Sequence, residues 1–271
     1  MEDNMEVAPF FPPHQSSYSR MPSKPTIVLV LGAWCLPPVY EQLQSRLSRR
    51  NIPSESPAHP SIGAEPPTKT LTDDVSSLRQ TLTKLVEEGK DVVVVGHSYG
   101  GVVTSNAVEG LSKADRSRQG KKGGVVLVVY MSAFVLPKGT SLKDMLGGEF
   151  LPWMNIDGDY VSVDNRVKVG FHDVSPDEQE KWSDSLTHTS IGVFSGASTY
   201  EPWHSIPSAY ILCEEDQALP FPIQEHMAGT LGTEWIYSLK SSHFPFLSMP
   251  DRVADILEEL ADRVQLKLAK L

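Results

Sequence analysis

Three side chains in this sequence, Ser98, Asp216 and His243, are of the types and in the order that nucleophilic chemistry requires. Ser98 sits inside Gly96-His97-Ser98-Tyr99-Gly100-Gly101, directly after the all-apolar run Val92-Val93-Val94-Val95. That run has the β-branched composition of a strand buried on both faces, and residues 102–108 read as a helix. A Gly-x-Ser-x-Gly segment between strand and helix is the nucleophile-elbow pattern. The turn is so sharp that the serine backbone must be strained, and Gly96 and Gly100 leave room where a β-carbon would collide. Strain of this kind lifts the Ser98 hydroxyl clear of the sheet edge. It also leaves the amide of Tyr99, at the helix start, free to donate to an oxyanion.

A serine hydroxyl attacks well only when a base takes its proton, and the base needs an acid to orient it. Both partners are expected at later strand ends, acid before histidine. The strand at 125–130 is followed by Met131-Ser132-Ala133-Phe134-Val135, which has no carboxylate. The strand at 210–213 is followed by Glu214, Glu215 and Asp216; Asp216 is favoured, being deepest in the loop and followed by an apolar turn, and the two glutamates read as surface charges. After the strand at 235–239 comes Ser241-Ser242-His243-Phe244-Pro245, which makes His243 the base. His97 precedes the nucleophile and should point into the core as a packed, hydrogen-bonded imidazole. His172, His188 and His204 belong to a later insertion and are expected to face solvent or line a pocket. A second oxyanion donor is expected from Gly32-Ala33-Trp34 after the first strand, through the amide of Ala33. Metal and phosphate sites find no support, since no His-x-x-x-His, cysteine cluster or Gly-x-x-x-x-Gly-Lys occurs, and no cofactor is expected.

The elements that must position these residues alternate from Thr26 onward. Strands are expected at 26–31, 92–95, 125–130, 210–213 and 235–239. Helices are expected at 38–50, at 71–88 with Gly89 as C-cap, after Ser98, and at 251–268, each with apolar residues at helical spacing. Such alternation implies a parallel sheet covered on both faces, an α/β fold. The stretch 112–124, rich in Lys, Arg, Ser and Gly, reads as a solvated loop. Residues 137–207 break the rhythm and read as a mostly helical cap over the carboxyl ends of the strands, with a clear helix start at Ser175-Pro176-Asp177-Glu178. Within and beside it, Trp34, Phe134, Trp153, Tyr200 and Trp203 are expected to line a substrate pocket, with Met154, Phe171 and Phe194 as further aromatic or soft apolar candidates.

Bulk properties narrow the function classes. A chain of 271 residues is long enough for a full α/β core. Its net charge of −10 argues against nucleic acid or an anionic membrane as partner. No apolar run approaches the ~20 residues of a membrane span. Residues 1–25, acidic and proline-rich, are expected to form a flexible arm without a secretory signal. The two cysteines, Cys35 and Cys213, fit reduced thiols and a cytoplasmic setting better than a disulfide. A small molecule is the expected partner.

These segments together resemble the α/β-hydrolase superfamily, in particular its small single-domain branch of bacterial and fungal esterase-like proteins with plant methylesterases and hydroxynitrile lyases. The resemblance rests on Val28-Leu29-Val30-Leu31-Gly32-Ala33-Trp34, the Ser98 hexapeptide, Pro207-Ser208-Ala209-Tyr210-Ile211 leading to Asp216, and Ser242-His243-Phe244-Pro245-Phe246. It implies an α/β-hydrolase domain over 26–271 with a cap at about 137–207. It also implies Ser98 as nucleophile, Asp216 as acid, His243 as base, and Ala33 and Tyr99 as oxyanion donors. The activity implied is that of a serine hydrolase acting on an ester, thioester or lactone of a small apolar or aromatic molecule through an acyl-enzyme. The same layout also serves lyases that cleave C–C bonds, retro-aldol or cyclising enzymes, and non-catalytic ligand receptors. Hydroxynitrile lyases of this branch tend to carry a lysine after the catalytic histidine; Phe244 stands here instead and favours hydrolysis. Relatives commonly have His-Gly where this chain has Leu31-Gly32, and a drier pocket is the expected consequence.

Overall fold

The computed structural model describes residues 24–268. All but the last two residues of the arm expected at 1–25 lie outside them. Six strands form one wholly parallel sheet: β1 (Thr26–Val30), β2 (Ser54–Glu55), β3 (Asp91–His97), β4 (Gly124–Met131), β8 (Ser208–Cys213) and β9 (Ile236–Leu239), in the order β2-β1-β3-β4-β8-β9. Strands β1, β3 and β4 are buried along almost their whole length, which is why they are nearly continuous Val, Ile and Leu. Side chains alternate between two core layers. Val28, Val30, Val94 and Val128 pack with Leu78 and Leu82 on one face. Ile27, Leu29, Val95 and Val129 pack with Leu43, Ile256 and Leu260 on the other.

The helices covering these faces are α1 (Glu41–Arg49), α2 (Leu71–Glu87), α3 (Gly100–Ala107), α4 (Lys113–Arg118), α7 (Phe221–Thr230), the short α8 (Pro245–Ser248) and α9 (Pro250–Leu268). Helix α2 opens with a capping box between Thr70 and Asp73, and Gly89, at φ +79°, terminates it as its C-cap position demands. Helix α4 corrects the solvated loop expected at 112–124. Ser112 caps it by accepting from the Asp115 amide at 3.0 Å. Arg116 is buried, with its guanidinium donating to the carbonyls of Val86 at 2.9 Å and Gly123 at 3.0 Å. High charge signalled exposure, but one arginine is consumed in closing carbonyls that would otherwise be orphaned.

Between β4 and β8 lies a long insertion. It contains helices α5 (Leu142–Met145) and α6 (Pro176–Ser185), together with an antiparallel sheet that the sequence reading did not anticipate: β5 (Met154–Asp157), β6 (Tyr160–Val163) and β7 (Thr189–Ser190). Asp157 pairs with Tyr160 across a two-residue turn in which Gly158 takes φ +58°. A Gly-Asp turn between alternating residues was the available signal. The insertion is tied to the loop after β1 by Trp34, whose indole donates to the Val161 carbonyl at 2.8 Å and whose amide donates to Thr189 Oγ1 at 2.9 Å. No described helix is long and apolar enough to cross a membrane.

Candidate active site

Strand order reverses between β1 and β3, and in an open parallel sheet that reversal opens a crevice at the carboxyl ends of the strands. The loop carrying Ala33 and the turn carrying Ser98 flank it. Register sets Val30 beside Gly96 and His97 beside Met131, so the ends of β1, β3 and β4 are level there.

Ser98 takes φ +53°, the strained conformation expected of an elbow and worth about 1–3 kcal/mol. The strain is held by neighbours: the Ser98 carbonyl accepts from the amides of Gly101 at 3.0 Å and Phe134 at 3.1 Å. A β-carbon at Gly100 would lie 2.4 Å from the Leu31 carbonyl oxygen, and one at Gly96 would lie 2.8 Å from that of Gly100. Both glycines are therefore required by close backbone approach. Ala33 and Tyr99 line the same cavity as Ser98, and neither amide donates to a protein acceptor among the described residues. Such uncommitted donors are what an oxyanion site needs.

The loops after β8 and β9 bring Asp216 and His243 together, with His243 Nδ1 2.7 Å from Asp216 Oδ2. The Asp216 side chain is fully withdrawn from solvent. Its Oδ1 accepts from the amides of Ala218 at 2.7 Å and Leu219 at 2.9 Å, which fixes the carboxylate plane. With Nδ1 engaged, Nε2 is the nitrogen left for the cavity that His243 shares with Ser98. No hydrogen bond joins Ser98 to His243 among the described residues; catalytic contacts of this kind are often loose until substrate binds. The His243 loop is anchored by Ser242, whose amide donates to Asp173 Oδ2 at 2.8 Å and whose hydroxyl donates to the Gly170 carbonyl at 2.8 Å.

His97 is the packed imidazole expected. Its Nε2 donates to the His243 carbonyl at 2.8 Å, while its buried Nδ1 has no partner. Burial, reinforced by the neighbouring His243, pushes its pKa well below the ordinary 6.5, so the ring is neutral. His172, His188 and His204 line none of the cavity around Ser98. Cys35 is buried, and burial pushes its thiol up to about 12, which makes it a poor nucleophile.

Several participating residues were missed in the sequence. Ser132, from the loop set aside for lacking a carboxylate, donates to Asp216 Oδ2 and lies 3.3 Å from His243 Nδ1. His59 places Nε2 2.9 Å from the Leu31 carbonyl. Asp74, fully buried in α2, accepts from the Tyr99 phenol. Nothing in a local pattern distinguishes these from ordinary surface serine, histidine and aspartate.

The cavity above Ser98 is lined by Trp34, Phe134 and Trp153 as expected, and by Met154 and Phe194. Tyr200 and Trp203 are corrections. The Tyr200 hydroxyl bonds Ser205 at 2.6 Å, and Trp203 borders a surface groove with Trp235 and Lys267. Both lie just before β8, and a parallel sheet places the amino end of that strand opposite the crevice. Leu31 lies beneath the site. Its side chain packs into the core layer with Tyr40 and Leu43 and is not among the residues lining the cavity.

A serine presented at a strand-order reversal of a parallel sheet is the construction of a class of enzymes, the hydrolases of α/β fold. The chain belongs to the alpha/beta hydrolase family, whose profile matches residues 27–256. It is 33% identical over 244 residues to "Alpha/beta hydrolase nvfD" of Aspergillus novofumigatus, covering 88% of this chain and 97% of that protein. It is 24% identical over 262 residues to "Methylesterase 1" of Arabidopsis thaliana, covering 86% of this chain and 92% of that one. Among solved structures, the pyrethroid hydrolase from Sphingobium faniae superimposes with a TM-score of 0.69 at 21% identity, over 88% of this chain and 97% of that one.

Proposed function

We propose that the protein is a serine hydrolase cleaving an ester, thioester or lactone of a small apolar or aromatic molecule through an acyl-enzyme. The observation that carries this is the Asp216–His243 bond of 2.7 Å, which orients His243 toward a cavity it shares with Ser98 and two uncommitted amides. His243 Nε2 takes the Ser98 proton as Oγ bonds to the substrate carbonyl carbon. The carbonyl oxygen, now anionic, accepts from the amides of Ala33 and Tyr99. Collapse breaks the bond to the leaving group, which receives that proton from His243. Water, deprotonated by His243, then attacks the acyl carbon, and Ser98 regains its proton as the acid departs.

Each oxyanion donor is worth about 10²–10³ in rate and a positioned base about 10²–10⁴. The apolar lining suits a substrate with little polarity beyond its scissile group. The names of the relatives, a methylesterase and a pyrethroid hydrolase, agree with ester chemistry. The test is labelling with a fluorophosphonate probe alongside hydrolysis of short p-nitrophenyl esters. Label is expected on Ser98, with labelling and turnover both abolished by Ser98→Ala. Folded wild-type protein that takes no label would reject the reading.

A further inference from the structure

His243 stands in the loop after β9, so the holds on that loop decide where its imidazole lies relative to Ser98. Two of them come from the body of the fold. Asp216, just past β8, places Oδ2 2.7 Å from Nδ1. His97, at the end of β3, donates from Nε2 to the His243 carbonyl at 2.8 Å.

The third hold falls on Ser242, the residue before the base, and it comes from the insertion. The Ser242 amide donates to Asp173 Oδ2 at 2.8 Å. Its buried hydroxyl lies between two acceptors, Asp173 Oδ1 at 2.5 Å and the Gly170 carbonyl at 2.8 Å, which share its one proton. Both oxygens of one carboxylate thus close on a single residue, and bonds to a charged acceptor are the stronger kind.

Asp173 follows the helical turn Val167–Phe171 and precedes α6. That turn also fits the residue after the base. Phe171 stacks on Phe244 with ring centroids 4.6 Å apart and 21° between the planes. A β-carbon at Gly170 would lie 2.6 Å from the Phe244 ring, so glycine is what lets the ring close on the turn. Ser242 and Phe244 flank His243, and one stretch of the insertion, 170–173, holds both.

Given the hydrolase reading above, we infer that Asp173 is a positioning residue for the His243 base. Acting through Ser242, it sets the reach of Nε2 toward Ser98. A small misplacement of a catalytic group costs up to about a hundredfold in rate. Asp173 is absent from the lining of the cavity at Ser98, so its loss falls on turnover and not on substrate binding.

The test is steady-state kinetics on a p-nitrophenyl ester, with the rate of fluorophosphonate labelling of Ser98 measured alongside. Asp173→Ala is expected to lower kcat by about tenfold to a hundredfold with KM within about twofold, and to slow labelling in parallel. Asp173→Asn keeps both contacts: its Oδ1 accepts from the Ser242 amide, and its Nδ2 donates to the hydroxyl, which then gives its proton to Gly170. Its kcat is expected within about threefold of wild type. Should Asp173→Ala give no folded protein, Asp173→Ser, too short to span both Ser242 atoms, is expected to show the same split between kcat and KM. Wild-type kcat in the Ala or Ser variant, a loss confined to KM, or an Asn variant as slow as the Ala variant overturns the inference and leaves the hydrolase reading intact. Folded wild-type protein with neither turnover nor label removes that reading, and this inference with it.

Discussion

The phenol of Tyr99 donates to Asp74 Oδ2 at 2.7 Å, and the same carboxylate accepts from the Ser61 amide at 2.9 Å and the Ser61 hydroxyl at 2.6 Å. Tyr99 is thereby clamped at its ring end, while its amide donates to no protein acceptor among the described residues. Burial, with Asp74 adding to it, pushes the phenol's pKa well up, so it stays a donor. On the other side of the crevice His59 Nε2 reaches the Leu31 carbonyl at 2.9 Å, two residues before Ala33, and its ring packs edge-on to Tyr99 at 5.7 Å. One buried cluster therefore braces the segments carrying both proposed oxyanion donors.

Removing the phenol by Tyr99→Phe leaves the amide in place but deprives Asp74 of a donor in a buried site. The expected cost is about 1–3 kcal/mol of stability, seen as a lower melting temperature. A fall of about tenfold in kcat with little change in KM is expected as well, because the brace acts where charge develops. Steady-state kinetics on a p-nitrophenyl ester checks this, and a KM effect alone would show that the cluster shapes the pocket instead.

Ser132 and Asp216 should respond differently. In the proposed mechanism Asp216→Asn removes the charge that would stabilise a His243 imidazolium and disturbs the ring's tautomer, and kcat is expected to drop by about 10⁴. Ser132→Ala leaves Asp216 with the amides of Ala218 and Leu219 and with Gln224 Nε2 at 3.3 Å. The carboxylate stays satisfied and the loss is expected to be about tenfold at most. Equal losses in the two variants, measured at one pH, would mean that Ser132 carries more of the orientation than its geometry suggests.

Gly100→Ala tests the elbow itself. The new β-carbon would sit 2.4 Å from the Leu31 oxygen, against backbone of a central strand end that cannot swing aside. Destabilisation of about 3 kcal/mol or more is expected, with loss of soluble protein. A control at Gly139, where a β-carbon meets nothing within 4 Å, should lose only what its φ of +89° imposes.

What the sequence made legible was local. The elbow announced itself because buried strand, paired glycines and helix are contiguous, and Asp216 and His243 followed because chain order mirrors sheet order at the carboxyl edge. Ser132, 84 residues from Asp216, and His59, 28 residues from Leu31, were hidden because their roles depend on which loops meet in space. Tyr200 and Trp203 misled for the converse reason. Their aromatic character suited a pocket, while the direction of β8 sent them to the other end of the sheet. The sheet of the insertion was missed because its strands are short and half-exposed, so their alternation was weak beside the helix signal at Ser175.

Stability should fall as pH drops below about 6.5, and the imidazole beneath the site is the reason. His97 is buried among the rings of His243, Phe244 and Phe246, and its pKa in the folded protein lies well below the ordinary 6.5; that of His59 is also lowered, chiefly by burial. Once unfolded, both rings regain ordinary values and bind protons as pH falls through about 6.5, while the folded protein still excludes them. Protons then favour the unfolded chain. Between the unfolded and folded pKa values each ring contributes a slope of about 1.4 kcal/mol per pH unit, with stability present above the window and lost on descending through it. Urea denaturation at pH 7.5 and 5.5 measures the loss. His97→Gln, which can keep a donor toward the His243 carbonyl without titrating, is expected to flatten the dependence by about the share of one ring. A variant as pH-sensitive as the wild type over that interval would place the proton uptake elsewhere.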